Sequence, residues 1–363
     1  IAQERGFTVE RAGFDAALKA QQERSRAASQ FGSGVFVTDA LQEVGIEALR
    51  QEGLSVEVVP TLSEADLCAK IADAHGLIVR SATKVTGRVI EAARALEVVG
   101  RAGAGVDNID VEAASERGII VMNTPGANTI AVAEHTVALV LTLNRKIHRA
   151  YTRVRELNFS LEGLVGFDMH GKTVGVVGTG RIGRVMVKIL HGFGCNVLAY
   201  DLKPDPELVS LKMAQYVELN QIYRDSDVIS LHIPLQPQTK HIIDARALAQ
   251  MKPQVLLVNT GRGALIDTPA LIEALKKHMI GGAALDVYEE EEGIFFSDHS
   301  IEGINDDLLA RLLTFPNVLV TSHQAFLTNE ALKNIAGTTL SNITEFEKGL
   351  KLSNRVSSAE INK

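Results

Sequence analysis

The sequence predicts an α/β protein of two lobes, each a doubly wound parallel sheet, and three observations carry that expectation. From residue 35 onward, short runs rich in Val, Ile and Leu alternate with stretches whose apolar residues recur at helical spacing, the pattern of β-α-β units. One run, residues 174–177, leads through three glycines straight into a helical stretch. A chain of 363 residues that is 46% hydrophobic suffices for two domain-sized cores.

Before that pattern begins, residues 10–28 are rich in Ala, Gln, Glu and Arg with no β-branched run, and read as a helix. Its apolar face is thin, chiefly Phe14 and Leu18, so it needs a partner surface. Gly32-Ser33-Gly34 reads as a flexible joint, making residues 1–34 an appended segment and linker. The first lobe is expected to place strands at 35–38, 56–59, 76–79, 97–99 and 119–121. Thr38-Asp39 is expected to open the first helix, and Thr61-Leu62-Ser63-Glu64 to form a capping box. A long helix from about residue 133 to 157 should lead into the second lobe, with strands at 174–177, 196–200, 228–231, 255–258, 282–285 and 318–320. His135, early in that helix, reads as structural. The last helical stretch, 330–350, has no strand after it in this reading and folds back on the first lobe.

Composition excludes several classes of function. A net charge of -7 offers no broad basic field for nucleic acid. Cys68 and Cys195 are too few for a disulfide framework and lack the spacing of a metal or redox motif, so a reducing cytoplasm and no metal site are expected. Glu4 and Arg5 interrupt any leader-like start, and the most apolar helix carries Glu134 and His135, so no membrane span is expected.

The glycine run Gly178-Thr179-Gly180-Arg181-Ile182-Gly183 follows its strand at the spacing of a dinucleotide fingerprint. Gly178 permits the turn, Gly180 lets backbone approach a pyrophosphate lying on the N-terminus of the helix-forming segment 184–190, and Gly183 lets helix and strand pack closely. The next strand ends in Asp201, about 20 residues on, where an acid accepts ribose hydroxyls and repels a 2′-phosphate. The expected cofactor is therefore NAD.

Other strand ends are polar. Arg80-Ser81-Ala82-Thr83 and the turn containing Ala104 and Gly105 close two strands of the first lobe; a glycine-rich turn exposes N–H groups to an anion, and Arg80 can add a charge-assisted fork. In the second lobe His232-Ile233-Pro234, Asn259-Thr260-Gly261-Arg262-Gly263, Asp286 and Thr321-Ser322-His323-Gln324 follow successive strands. Parallel strands point the same way, so Arg262, Glu291 and His323 can meet at one edge, beside the dinucleotide crevice. Taken singly, Arg262 reads as a turn arginine, Glu291 as part of a solvated run over 289–292, and His323 as a strand-end histidine. Together they suggest hydride transfer coupled to proton transfer, with the arginine on a substrate carboxylate and the histidine as acid/base beside its carboxylate.

These motifs, with Val258-Asn259-Thr260-Gly261-Arg262-Gly263, Asp286-Val287-Tyr288-Glu289-Glu290-Glu291 and His323-Gln324-Ala325-Phe326, resemble the D-isomer-specific 2-hydroxyacid dehydrogenases over residues 35 to about 356. The resemblance implies catalytic Arg262, Glu291 and His323, with Thr260 and Asp286 on the nicotinamide side, Pro234 on the adenine side and His232 also among the cofactor-binding residues. It implies a substrate site including Arg80, Ser81, Ala104, Gly105, Asn128 and Arg262. It also implies a Rossmann NAD-binding domain, 132–326, inserted into a flavodoxin-like substrate domain, 35–131 with 327–356, and a homodimer or higher homo-oligomer. Residues from about 140 resemble fermentative D-lactate dehydrogenases. Those from 35 to 136 resemble D-3-phosphoglycerate dehydrogenase, where the equivalents of Arg80, Ser81 and Asn128 serve the phosphate end. Residues 1–31 resemble a segment of alanyl-tRNA synthetases without that family's motifs, so the chain reads as a mosaic. Pyruvate and D-lactate are the preferred substrate pair. 3-Phosphohydroxypyruvate and a non-enzymatic NAD-sensing interaction protein of the same fold stay open beside it.

Overall fold

The computed structural model describes residues 34–39 and 43–357. The expected helix at 10–28 and the joint at 32–33 lie outside them. The chain divides into two compact units. One runs to Ala127 and resumes at Leu332; the other is Asn128–Ala331.

The first unit contains β1 (Gly34–Val37), β2 (Ser55–Val58), β3 (Gly76–Val79), β4 (Val98–Arg101) and β5 (Ile120–Met122), joined by the chain's last strand, β13 (Arg355–Val356). The sheet order is β13-β5-β4-β3-β1-β2. All pairs are parallel, with Val35 opposite Gly76 and Gly76 opposite Val98, except that β13 runs antiparallel to β5. Strand β3 is buried on both faces, as a Gly-Leu-Ile-Val run between two helix layers must be. The winding direction reverses between β1 and β3, which opens a crevice at their carboxyl ends.

The second unit contains β6 (Thr173–Val177), β7 (Asn196–Tyr200), β8 (Gln215–Tyr216), β9 (Val228–Leu231), β10 (Leu256–Asn259), β11 (Gly282–Leu285) and β12 (Val318–Val320), in the order β12-β11-β10-β9-β6-β7-β8. Every pair is parallel. One apolar core packs on each face, one including Ile229, Leu257 and Leu285, the other Val176, Val258 and Met186. Here the order reverses between β6 and β9.

Four expectations are corrected. A strand does follow the last helix, Asn329–Glu347: β13, two residues long and too short to show a period, is tied on by side chains. Asn342 donates to the Asn123 carbonyl at 2.7 Å, and Asn354 donates to Asn342 at 2.9 Å. The long helix is two helices, Thr129–Arg145 and Ile147–Arg155, because Lys146 takes the left-handed conformation with φ 51. The helical pattern passes through Lys146 unbroken; the turn shows only in the backbone. The cap of helix Glu64–Lys70 is Ser63, which accepts from the Asp66 amide, while Thr61 donates to Asp39 at 2.7 Å. Asp39 bonds the loop after β3; the stretch 40–42 between it and helix Glu43–Gln51, where the first helix is expected to open, lies outside the described residues. β4, β5 and β10 each start one residue later than expected.

Candidate functional site

In the second unit, the glycine turn sits at the reversal point of the sheet. Gly178 has φ 94, and an added methyl group would lie 2.8 Å from the His232 carbonyl that ends β9. At Gly183 it would lie 1.9 Å from the Gly178 carbonyl oxygen, so helix Arg181–Gly192 can approach the turn only with glycine there. Gly180 differs: its missing side chain faces open space, and it begins the helix without a side-chain cap. An uncapped helix start beside a void the size of a side chain fits a pyrophosphate. Arg181 is exposed and Ile182 half-buried in that first turn.

Asp201, at the end of β7, is held from two sides. Its Oδ2 accepts from the Thr179 amide at 2.7 Å, and its Oδ1 from the Lys203 amide at 2.9 Å. Oδ2 also accepts from the Thr179 hydroxyl at 3.2 Å, so Oδ1 is the oxygen that keeps a lone pair for a ribose hydroxyl. Tyr216 fixes Thr179 by donating to its hydroxyl at 2.7 Å. Sequence reading missed Tyr216, because its two-residue strand carries no period. His232 lies 2.8 Å from the Ser230 hydroxyl, and burial pushes its pKa down to about 4, so it is neutral at physiological pH. Pro234 is exposed, and its carbonyl accepts from Thr239 at 2.8 Å. These residues fit NAD.

Past β10, β11 and β12 the backbone ladder continues into the loops. The Asp286 amide donates to the Asn259 carbonyl at 2.9 Å, and the His323 amide to the Asp286 carbonyl at 2.7 Å. This ties the root of the Arg262 loop to His323. Asn259, fully buried, shapes that loop by accepting from the Gly261 amide at 3.0 Å and donating to the Arg262 carbonyl at 2.8 Å. Thr260 meets the Thr136 hydroxyl at 2.8 Å.

His323 has φ 48, and its Nδ1 lies 2.7 Å from Glu291 Oε2. Glu291 is oriented in turn by the Tyr288 amide, which donates to Oε1 at 2.9 Å. With Nδ1 engaged, Nε2 is the nitrogen left to exchange a proton with a ligand. Asp286 is fully buried. Burial alone would raise its pKa, but hydrogen bonds from His135, Thr321, Ala325 and Gln324 outweigh that and lower it. His135 Nε2 lies 3.4 Å from Asp286 and 3.3 Å from the Thr321 hydroxyl, a supporting contact beneath the strand ends.

In the first unit, Arg80 and Ser81 lie in the loop after β3, at that sheet's reversal point. Asp39 Oδ2 accepts from the amides of Arg80 at 2.9 Å and Thr83 at 3.1 Å, and Oδ1 from the Thr83 hydroxyl at 2.7 Å. On the other side, Asn108 Nδ2 donates to the carbonyls of Arg80 at 2.6 Å and Thr83 at 2.7 Å. The loop is thus clamped by Asp39, which sequence reading places at a helix start, and Asn108, which it places at the end of the glycine-containing turn after β4; neither reads as a clamp, because an acid at φ 66 behind a strand leaves no spacing signature. Desolvation lowers the pKa of Arg80, opposed by the nearby Asp39 charge. Ala104 and Gly105 follow β4, with the Ala104 carbonyl accepting from Asn123 at 2.6 Å. Asn128, the first residue of the second unit, precedes helix Thr129–Arg145, and its Oδ1 is buried with no hydrogen-bond partner.

Among the described residues no helix is long and apolar enough to cross a membrane, and no group of three or more His, Cys, Asp or Glu side chains is placed to hold a metal ion.

The fold and this edge define a dinucleotide-dependent oxidoreductase, and comparison with known proteins identifies the kind. Residues 137–325 match the family described as D-isomer specific 2-hydroxyacid dehydrogenase, NAD binding domain. The Escherichia coli D-lactate dehydrogenase is 52% identical over 247 residues, 68% of this chain and 74% of its own. The Methanocaldococcus jannaschii D-3-phosphoglycerate dehydrogenase is 45% identical over 305 residues, 84% of this chain and 55% of its own. The structure of an Aquifex aeolicus D-lactate dehydrogenase complexed with NAD and lactic acid superposes with a TM-score of 0.82 at 32% identity, over 89% of this chain and 99% of that one. The chain therefore belongs to the D-isomer-specific 2-hydroxyacid dehydrogenases, and is an NAD-dependent oxidoreductase acting on the CH–OH group.

Proposed function

We propose that this chain catalyses the reversible reduction of pyruvate to D-lactate. The observation that carries the reading is the His323–Glu291 contact of 2.7 Å on the sheet edge that also bears the Arg262 loop. Bound NADH supplies the hydride. Arg262 forks onto the substrate carboxylate and so sets which face of the carbonyl is presented. His323 releases a proton from Nε2 to the carbonyl oxygen, and recovers it in the reverse direction. Glu291 orients the ring and stabilises the imidazolium before transfer. Gly178, Gly180, Arg181, Ile182 and Gly183 hold the pyrophosphate and Asp201 the ribose; His232 and Pro234 line the adenosine side, Thr260 and Asp286 the nicotinamide side.

A second reading, 3-phosphohydroxypyruvate as substrate, is favoured by the clamped loop of the first unit. Arg80 and Ser81, with Asn128 and the Ala104-Gly105 backbone, would take the far end of the acid, and a D-3-phosphoglycerate dehydrogenase is one of the relatives, matched over 84% of the chain. NADH oxidation, followed by absorbance with pyruvate and separately with 3-phosphohydroxypyruvate, tests the two. Pyruvate should be preferred; preference for the phosphorylated acid would give specificity to the first unit.

On the same reading the NAD-binding domain spans 132–326, the enzyme works in the cytoplasm on a small acid without nucleic-acid or membrane partners, and it assembles as a homodimer. Support for assembly comes from helix Ile147–Arg155, which buries none of its residues, and the segment after it, where Leu157, Phe159, Leu161 and Val165 are exposed. The change of resemblance near residue 140 supports a mosaic origin; a genomic reading frame continuous through residue 34, shared by close relatives, would refute an engineered one.

A further inference from the structure

Two histidine–glutamate pairs meet at the turn that follows β11. One, His323–Glu291, belongs to the proposed proton transfer. The other joins His241 Nε2 to Glu289 Oε1 at 2.6 Å and has no part in it. Glu289 Oε2 also accepts from the Thr268 hydroxyl at 3.3 Å, at the start of helix Thr268–Lys276. The His241 side chain is 34% exposed and that of Glu289 only 16%, so the carboxylate has given up most of its water and depends on these two partners.

Both partners lie beside the Arg262 segment. His241 has φ 53, and its amide donates to the Ala264 carbonyl at 2.8 Å. The Ile243 amide donates to Leu265 at 3.1 Å and the Asp267 amide to Ile243 at 3.0 Å, so residues 241–243 bridge the whole turn Gly263–Leu265. On its other side, an added methyl group at Gly263 would lie 2.0 Å from the Tyr288 carbonyl. Residues 262–265 are therefore gripped between residues 241–243 and Tyr288-Glu289, and the His241–Glu289 bond closes the grip. The Glu289 end is two residues from Glu291, which holds His323.

We infer that His241 and Glu289 are positioning residues for Arg262: their bond fixes the carboxylate-binding arginine relative to the turn that orients the acid/base histidine. The inference rests on the reading of Arg262 given above. Neither residue is assigned a contact with substrate on that reading. A displaced guanidinium weakens a bond made in both ground and transition states, so the loss falls on KM more than on kcat.

The test is a double-mutant cycle on the full chain, read as NADH oxidation with pyruvate and as calorimetric binding of oxamate, a pyruvate isostere, to the NADH complex. His241→Asn, which tolerates the left-handed backbone but falls short of Glu289, and Glu289→Ala should each raise the pyruvate KM about tenfold, the range of a coupled pair, and weaken oxamate to match. kcat should fall no more than about twofold and NADH affinity should stay put. Glu289→Gln, whose amide oxygen still accepts from His241, should recover most of the affinity. In an Arg262→Gln background neither substitution should raise KM further. An equal rise in both backgrounds, or parallel losses of kcat, NADH affinity and melting temperature, would show a merely structural pair. A wild-type chain that neither reduces pyruvate nor binds oxamate, with Arg262→Gln without effect, would overturn the reading of Arg262 and this inference with it; oxamate binding lost in Arg262→Gln but untouched in the pair variants would overturn this inference alone.

Discussion

At the carboxyl edge of the second unit's sheet, titratable side chains bond one another, His323 to Glu291 and His135 to Asp286. At the same edge of the first unit, two side chains instead seize a backbone loop: Asp39 takes the amides of Arg80 and Thr83, and Asn108 gives to their carbonyls. Both edges follow from parallel winding with a reversal, yet on the proposed reading they suit different steps. A proton donor needs a partner that stabilises its charged form and leaves one nitrogen available. A recognition loop needs a fixed backbone, so that ordering it costs nothing when the ligand arrives. On the proposed reading, the contrast assigns chemistry to the second unit's edge and recognition to the first unit's loop.

The largest expected effect lies on the chemical edge. His323→Ala should lower kcat about a thousandfold, within the range for losing a general acid–base, while NADH affinity, assigned on the proposed reading to the glycine turn and Asp201, stays near that of the wild type. Stopped-flow NADH binding alongside steady-state turnover checks both numbers. Unchanged turnover would remove His323 from the chemistry and leave the contrast without its first member.

How much of this was legible in the sequence follows from what each feature owes to local pattern. The glycine turn, Asp201 and the alternation of strands and helices are periodic or fixed in spacing, and their strands appear within a residue of where the pattern puts them. Gly183 is the clearest case, since its need for glycine comes from one neighbour five residues away, Gly178. Asp39, Asn108, His241 and Glu289 were not legible as members of a site. Asp39 bonds residues 41 and 44 positions on, and His241 bonds one 48 positions on, contacts that depend on how sheet strands are ordered. The break at Lys146 and the strand β13 rest on single backbone conformations and side-chain ties that leave no period.

The next effect separates the two reversal points by pH. Burial holds His232 near a pKa of about 4 against an ordinary 6.5. Between these values the unfolded chain takes a proton that the folded chain refuses, so stability falls as pH drops from 6.5 to 4, by at most roughly 3 kcal/mol. The lowered pKa of Asp286 acts in a different window: its contribution is complete above 3.8 and is lost as pH falls below it. Urea unfolding at pH 7, 5 and 4 should show the first slope, and His232→Asn should flatten it. A slope identical in both proteins would mean that other groups titrate there.

The smallest effect tests whether the first unit's edge acts on its own. Asn108→Ala removes two donors from the carbonyls of Arg80 and Thr83 while Asp39 still holds the amides, so the loop loosens without unfolding. Two hydrogen bonds at about 1 kcal/mol net each would cost up to roughly thirtyfold if fully expressed in binding; shared with the remaining clamp, about a tenfold rise in KM is expected for the 2-oxo acid. NADH affinity should not move, because the glycine turn and Asp201 belong to the other unit. Substrate choice sharpens the result: a phosphorylated acid, which places a second anion on the loop, should suffer more than pyruvate, whose single carboxylate is assigned to Arg262. Equal losses for both acids would mean that Asn108 serves the first unit's fold rather than its recognition loop, and a parallel loss of NADH affinity would show that the substitution disturbs the fold beyond that loop.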